Sequence, residues 1–205
     1  DRFAARLFLA TASATGRAYH LTAVESESGR RVWQRQLGLN LLGDPVVADD
    51  GVMLVDRSGR VLTIRSDVPR AEGEPLPDGA DAGAMMRLDS PSGSTHLVVP
   101  LDGGTRLAVR EVGAAAPTSA SWNQVALAVG DRINGRPCLA GDFLVVPCSD
   151  GQIRRIRWRG EGRTDGREIS FGTGSTGRVD LTALADGAIV MVDGGRHLRR
   201  LEIRS

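Results

Sequence analysis

The side chains able to do chemistry in this 205-residue chain are few and scattered. His20, His96 and His197 lie too far apart for any short metal-ligand spacing, and each reads as an ordinary strand residue. The run Gly172-Thr173-Gly174-Ser175-Thr176-Gly177 matches the glycine pattern of a dinucleotide site, which needs a helix behind it to receive the pyrophosphate. The next residues, Arg178-Val179-Asp180-Leu181-Thr182 and then Asp186-Gly187, read as a strand and a turn, so the glycines belong to a loop. No Ser/His/Asp set and no paired-carboxylate site assembles from the spacing. All 26 basic residues are arginine, so a phosphate-loop lysine, a Schiff-base amine and a Ser-Lys dyad are excluded. The 25 carboxylates leave a net charge of +1, without the basic excess that marks a nucleic-acid binder.

Cys138 and Cys148 fall on the two arms of a hairpin turning at Gly141 and Asp142. That turn pairs Cys138 with Val145 and leaves Cys148 three positions out of register, roughly 10 Å along the strand. A bridge would strain the accepted Cα separation, so both read as free, buried thiols that leave the redox compartment open. Arg155, Arg157 and Arg159 alternate along one strand and share a face, which reads as a solvated outer edge. No stretch approaches the roughly 20 apolar residues of a membrane span. The opening Asp1 to Ala14 superficially resembles a leader, but Arg6 interrupts its apolar part, and a strand is the better reading.

The elements that must carry these residues repeat. Gly16, Gly59, Gly104, Gly151 and Gly195 each mark a turn between two short apolar strands, at intervals of 43, 45, 47 and 44 residues. That period with four short strands per unit predicts an all-β chain, a β-propeller of four-stranded antiparallel blades with four to five blades present. The whole of 1–205 reads as one domain. The clearest blade runs Asp44–Ala48, Val52–Asp56 and Arg60–Ser66. The same hairpin recurs as His96–Pro100 with Arg106–Glu111, Phe143–Pro147 with Gln152–Trp158, and Ala188–Val192 with His197–Ile203. An outer strand is expected near Trp122–Ala128. Asp67–Gly83 carries three prolines and predicts a weak or missing outer strand followed by a long loop. The first blade lacks its first strand and the last lacks its fourth, which predicts an arc belonging to a longer ring or completed by another copy or subunit.

Ala23 to Trp33 reads Ala-Val-Glu-Ser-Glu-Ser-Gly-Arg-Arg-Val-Trp. Ser28 and Gly29 suit a turn, Glu25 can accept hydrogen bonds from the exposed turn amides, and Trp33 offers a large apolar plate on the outer strand. The phrase resembles the blade-docking motif of the pyrroloquinoline-quinone-like propeller family, with Ala23, Glu25, Ser28, Gly29 and Trp33 filling its five specified positions. The stretch from Gly43 to Ile64 resembles that family's next three strands. Later repeats replace the docking phrase with Trp122 and Phe171. The resemblance implies that Trp33 lies across the neighbouring blade.

Two jobs occur in that family, quinoprotein dehydrogenases and non-catalytic scaffolds or sensor propellers. The dehydrogenases carry an adjacent Cys-Cys pair and a calcium cluster of Glu, Asn and Asp. Here there is no such pair and only Asn40, Asn123 and Asn134. The expectation is therefore a non-enzymatic module for protein interaction or ligand sensing, with no cofactor and no metal, whose partner is a protein or further blades and not nucleic acid. The alternative is a degenerate piece of a quinoprotein dehydrogenase. The resemblance favours a periplasmic or otherwise extracytoplasmic location. Propeller geometry gathers Gly59, Gly104, Gly151 and Gly195 on one face with Asn40, Arg132, Asn134, Arg136, Thr173, Ser175 and Arg178, the candidate binding residues.

Overall fold

The structure is a computed structural model that describes residues 6–12, 19–38, 41–48, 51–65, 71–77, 81–91, 93–112, 121–141, 143–157, 171–172, 177–194 and 197–202. The described residues contain no α-helix, and no helix is long and apolar enough to cross a membrane. The chain divides into two compact units, Asp1–Met85 and Met86–Ser205.

The first unit holds two antiparallel sheets. In one, β1 (Arg6–Ala12), β2 (Tyr19–Glu25) and β3 (Arg31–Leu37) pair in chain order. In the other, β4 (Leu41–Ala48), β5 (Gly51–Asp56), β6 (Arg60–Arg65) and β7 (Ala71–Pro75) do the same. β7 corrects the expectation of a weak or missing outer strand in Asp67–Gly83. It pairs along its length with β6, from Ile64 opposite Ala71 to Arg60 opposite Pro75. An outermost strand bonds on one side only, so a proline at its end costs no ladder bond that the sheet needs.

The second unit holds three sheets, of which the first joins β8 (Met86–Asp89), β9 (Thr95–Leu101), β10 (Arg106–Val112) and β11 (Asn123–Ala126). After the two-residue strand β12 (Gly135–Arg136), the second joins β13 (Cys138–Ala140), β14 (Phe143–Pro147), β15 (Gln152–Arg157) and β16 (Phe171–Gly172). The third joins β17 (Val179–Ala183), β18 (Ile189–Asp193) and β19 (His197–Leu201), and its fourth member is β12, parallel to β17. Successive antiparallel hairpins, three of the five sheets being wholly antiparallel and four-stranded among the described residues, are the blades of a β-propeller.

Carboxylates shape several turns. Asp56 Oδ1 accepts from Ser58 N at 2.8 Å, Ser58 Oγ at 2.6 Å and Arg60 N at 3.1 Å, locking the β5–β6 turn around Gly59 at φ 74°. Asp150 accepts from Gln152 N at 2.9 Å in the β14–β15 turn, and Asp186 from Ala188 N at 3.0 Å before β18.

Alternation along β14 shows why the runs are continuously apolar. Leu144, Val146 and Cys148 pack with Leu88, Val98, Leu107 and Val109 of the preceding blade, while Val145 packs with Val179, Leu181, Ile189 and Met191 of the following one. Both faces of the middle sheet are thus buried.

In the first unit Leu21 and Leu37 cluster with Leu41, Val52, Leu54, Leu62 and Ile64 of the next blade, and half-buried Trp33 packs against that cluster. Trp33 stands opposite Ala23, which is fully buried, and its ring lies 6.0 Å from that of Phe8. The turn beneath it differs from the expectation in one detail. The Glu25 carboxylate accepts from the Ser28 hydroxyl at 2.7 Å and the Arg30 guanidinium at 2.5 Å, while the amide of Arg30 goes to Ser28 Oγ at 3.1 Å. A guanidinium five residues on outcompetes the neutral amides because its hydrogen bond is charge-assisted.

Two measurements probe this corner of the blade. Trp33→Ala is expected to cost about 3 kcal/mol in denaturant melts, the low end for a large aromatic since Trp33 is only half-buried. Trp33→Phe should cost clearly less, because the indole Nε1 is buried without a partner among the described residues. Equal losses in both variants would show that the plate contributes nothing beyond that nitrogen. The second measurement uses acid. The hydrogen bond from Arg30, then that from Ser28, lowers the Glu25 carboxyl from its ordinary 4.5 to about 2. Its stabilising effect is complete above the unfolded value and is lost as pH falls toward about 2. Stability measured over that interval should fall less in Glu25→Gln than in wild type, and a carboxyl resonance titrating near 4.5 would contradict the pairing.

Candidate functional site

In the second unit the segment from Asp131 to Arg136, which leads from β11 toward β13, is bonded to all three blades. Ile133 N donates to Gly104 O at 2.9 Å in the first of them. Asn134 N donates to Pro147 O at 2.8 Å, and Ser149 N to Arg132 O at 2.8 Å, in the second. Val179 N donates to Asn134 O at 3.0 Å, and Asn134 Nδ2 to Gly177 O at 2.9 Å, in the third. Beneath it Asp131, buried, accepts from Arg154 at 2.8 Å, and Arg154 reaches Asp150 at 2.7 Å.

Gly135 makes this crossing possible. Its φ of 130° lies outside the range that other residues adopt readily, and a Cβ there would run into the backbone of Val179. β12 can therefore lie directly against β17, Gly135 opposite Val179 and Arg136 opposite Asp180.

The frame orients three exposed arginines. Arg132 projects with no partner among the described residues. Arg178 donates through Nε to Asp180 Oδ1 at 3.0 Å and is 71% exposed. Arg136 donates its backbone N–H to the same carboxylate at 2.9 Å, and its guanidinium reaches Arg87 O at 2.9 Å on β8.

Of the sequence-derived candidates, the second unit brings together Gly104, Gly151, Arg132, Asn134, Arg136 and Arg178, with Gly151 closing the turn that holds Arg132. Asn40, Thr173, Ser175 and Gly195 lie outside the described residues, and Gly59 belongs to the first unit. Asn134 is half-buried and spans two blades, so it frames the site.

Sequence reasoning missed a cavity of about 270 Å³ where the first strands of the three blades meet. Leu88 and Asp89 of β8, Pro137 and Cys138 at the start of β13, and Leu181 to Ala183 of β17 line it, with Arg136 among them. No local pattern marks these residues. They converge only because each opens its blade, at positions 50 or so residues apart.

Several chemically suggestive residues are structural. Both cysteines are free and buried, with Cys138 opposite Val145, and burial pushes the Cys138 thiol up to about 12, far from a thiolate nucleophile. His96 is fully buried with Nε2 3.9 Å from Glu111, and His197 is exposed 4.0 Å from Asp193. Arg155 departs from the solvated edge expected of it. Its guanidinium stacks 3.5 Å above the Phe143 ring and it is half-buried, since the aromatic face takes the cation. Arg157 keeps its place in β15, and the side chains of Arg157 and Arg159 lie outside the described residues. Among the described residues no three His, Cys, Asp or Glu side chains gather as metal ligands.

No known protein-family profile matches the chain, and no curated protein matches it. Solved structures do. The chain is similar to the Cps50 (Swd1) β-propeller domain of Myceliophteria thermophila, at 8% identity and TM-score 0.58, covering 95% of this chain and 83% of that one. It is similar to the dihydro-heme d1 dehydrogenase NirN in complex with DHE, at 13% identity and TM-score 0.52, covering 96% of this chain and 44% of that one. BamB of Moraxella catarrhalis aligns at 15% identity and TM-score 0.49 over 90% of this chain, which spans 57% of that protein. The likeness to Cps50 and NirN, at these identities, establishes the β-propeller fold and no activity.

Gly135→Ala tests the frame. Strain at this φ together with the clash against Val179 should destabilise the protein by at least about 3 kcal/mol. Amide exchange should accelerate at Val179 and Asn134. A variant melting like wild type would mean that β12 and β17 are not held in contact.

Proposed function

We propose that this chain is a non-enzymatic β-propeller module of the pyrroloquinoline-quinone-like kind, acting as a protein-interaction scaffold or a ligand-sensing platform. The observation that supports it is the arginine rim of the second unit. Arg132, Arg136 and Arg178 stand exposed on backbone that is bonded to three blades, so the groups that would meet a partner are oriented before it arrives. Preorganisation of this kind lowers the ordering cost of association. Guanidinium forks suit carboxylate-bearing polypeptides. The docking phrase Ala23, Glu25, Ser28, Gly29 and Trp33, with its hydrogen-bonded turn and its packing on the next blade, supports the family reading. The partner in this reading is another polypeptide or further blades from the same parent or another subunit.

The alternative, a degenerate piece of a quinoprotein dehydrogenase, is separated by one titration. Pyrroloquinoline quinone with calcium should give no saturable signal. Micromolar binding accompanied by dye-linked alcohol oxidation would transfer the chain to the alternative. Capture of a defined polypeptide from source extract by wild type, lost in Arg132→Glu/Arg178→Glu at unchanged Tm, is the positive counterpart.

A further inference from the structure

The cavity between β8, β13 and β17 carries a guanidinium that no carboxylate among the described residues neutralises. Asp89, at its edge, already accepts from Arg87 Nε at 3.0 Å and from Thr95 Oγ1 at 2.8 Å. Asp180, opposite Arg136 in the ladder, takes the backbone N–H of Arg136 and Nε of Arg178. Arg136 is different. Its guanidinium donates to one neutral carbonyl, Arg87 O, and forms no ion pair among the described residues. That bond draws the side chain from β12 to the edge of β8, across the cavity it helps to line.

The rest of the lining mixes polar and apolar surface: Thr182 is exposed and Ala183 half-buried, while Leu88, Pro137 and Leu181 are almost wholly buried. A site with one guanidinium that lacks an ion pair among the described residues, and a hydroxyl beside it, takes a single negative charge on a short stem. Its size narrows the choice further. At 270 Å³ it falls below the roughly 300–1,000 Å³ of sites that enclose cofactors and drug-sized ligands, and it suits one residue of a polypeptide.

We propose that this cavity binds a carboxylate of a partner polypeptide, with the Arg136 guanidinium as its anchor, Thr182 as a second donor and half-buried Ala183 against the adjoining methylenes. The proposal rests on the protein-interaction reading and assigns it a contact chemistry. The carboxylate comes from a Glu or Asp side chain or from a chain terminus. A bidentate pair with arginine satisfies either.

Three small probes on the full chain separate the possibilities by amide-shift titration: acetyl-Leu-Glu-amide, acetyl-Leu-Leu as the free acid, and acetyl-Leu-Gln-amide. At least one acidic probe should shift the amides of Arg136, Cys138 and Thr182 saturably, with Kd on the order of 1 mM. The neutral probe should not, and the stronger acid identifies the source of the carboxylate. Arg136→Gln should weaken the acidic probe roughly tenfold, Arg136→Lys less, and Arg199→Gln, on exposed β19, not at all. The comparison of acidic with neutral probes uses wild type alone, so it stands even where a variant folds poorly. Equal shifts from acidic and neutral probes, no saturation, or shifts mapping elsewhere would overturn the carboxylate site. None of these results bears on the quinone titration, so this inference can fail while the interaction reading stands.

Discussion

A sheet that is apolar on both faces cannot stand in water by itself, and the rest of this structure depends on that constraint. The β13–β16 blade turns Leu144 and Val146 to one neighbour and Val145 and Ile153 to the other. This blade is therefore stable only as a layer between layers, and its backbone connections are free to serve other ends. At roughly 25 cal/mol per Å² of apolar surface buried, the interfaces between sheets supply the driving force, while the turns contribute geometry. The carboxylates of Asp56, Asp150 and Asp186 set that geometry locally.

On this layered base the segment Asp131–Arg136 adds a second kind of order. Its backbone groups are satisfied by three different blades, and its arginines are left to solvent or to the cavity. The division of labour is between main chain and side chain at the same residues. Arg136 shows it most clearly: its N–H holds the frame to Asp180 while its guanidinium reaches β8. A surface built this way owes its shape to hydrogen bonds made within the chain.

Much of the fold was legible in the amino-acid sequence because it is local. Turn glycines such as Gly59 and Gly151, the hairpin Phe143–Pro147 with its return strand, and the Cys138–Val145 register are all set by residues a few positions apart. Prolines misled the reading of Asp67–Gly83, since a proline rule for central strands does not bind an outermost one such as β7. The alternation of Arg155 concealed its stacking on Phe143, which depends on a ring in the adjacent strand. The site was legible only in part. Arg132, Asn134, Arg136 and Arg178 could be grouped from loop positions, but the parallel pairing of β12 with β17 joins residues about 44 apart and leaves no trace except Gly135.

That parallel pair sets an order on assembly during synthesis. A ribosome delivers Gly135 and Arg136 well before Val179 and Asp180, so β12, which precedes the middle blade in the chain but belongs to the third sheet, waits for a partner not yet made. The preceding hairpins can zip as they emerge, each from neighbours in sequence. This closure cannot, because it joins distant segments and carries the loop entropy of everything between them. The third blade thus joins late, and a nascent chain stalled before β17 would hold Asp131–Arg136 latched to two blades and open toward the third.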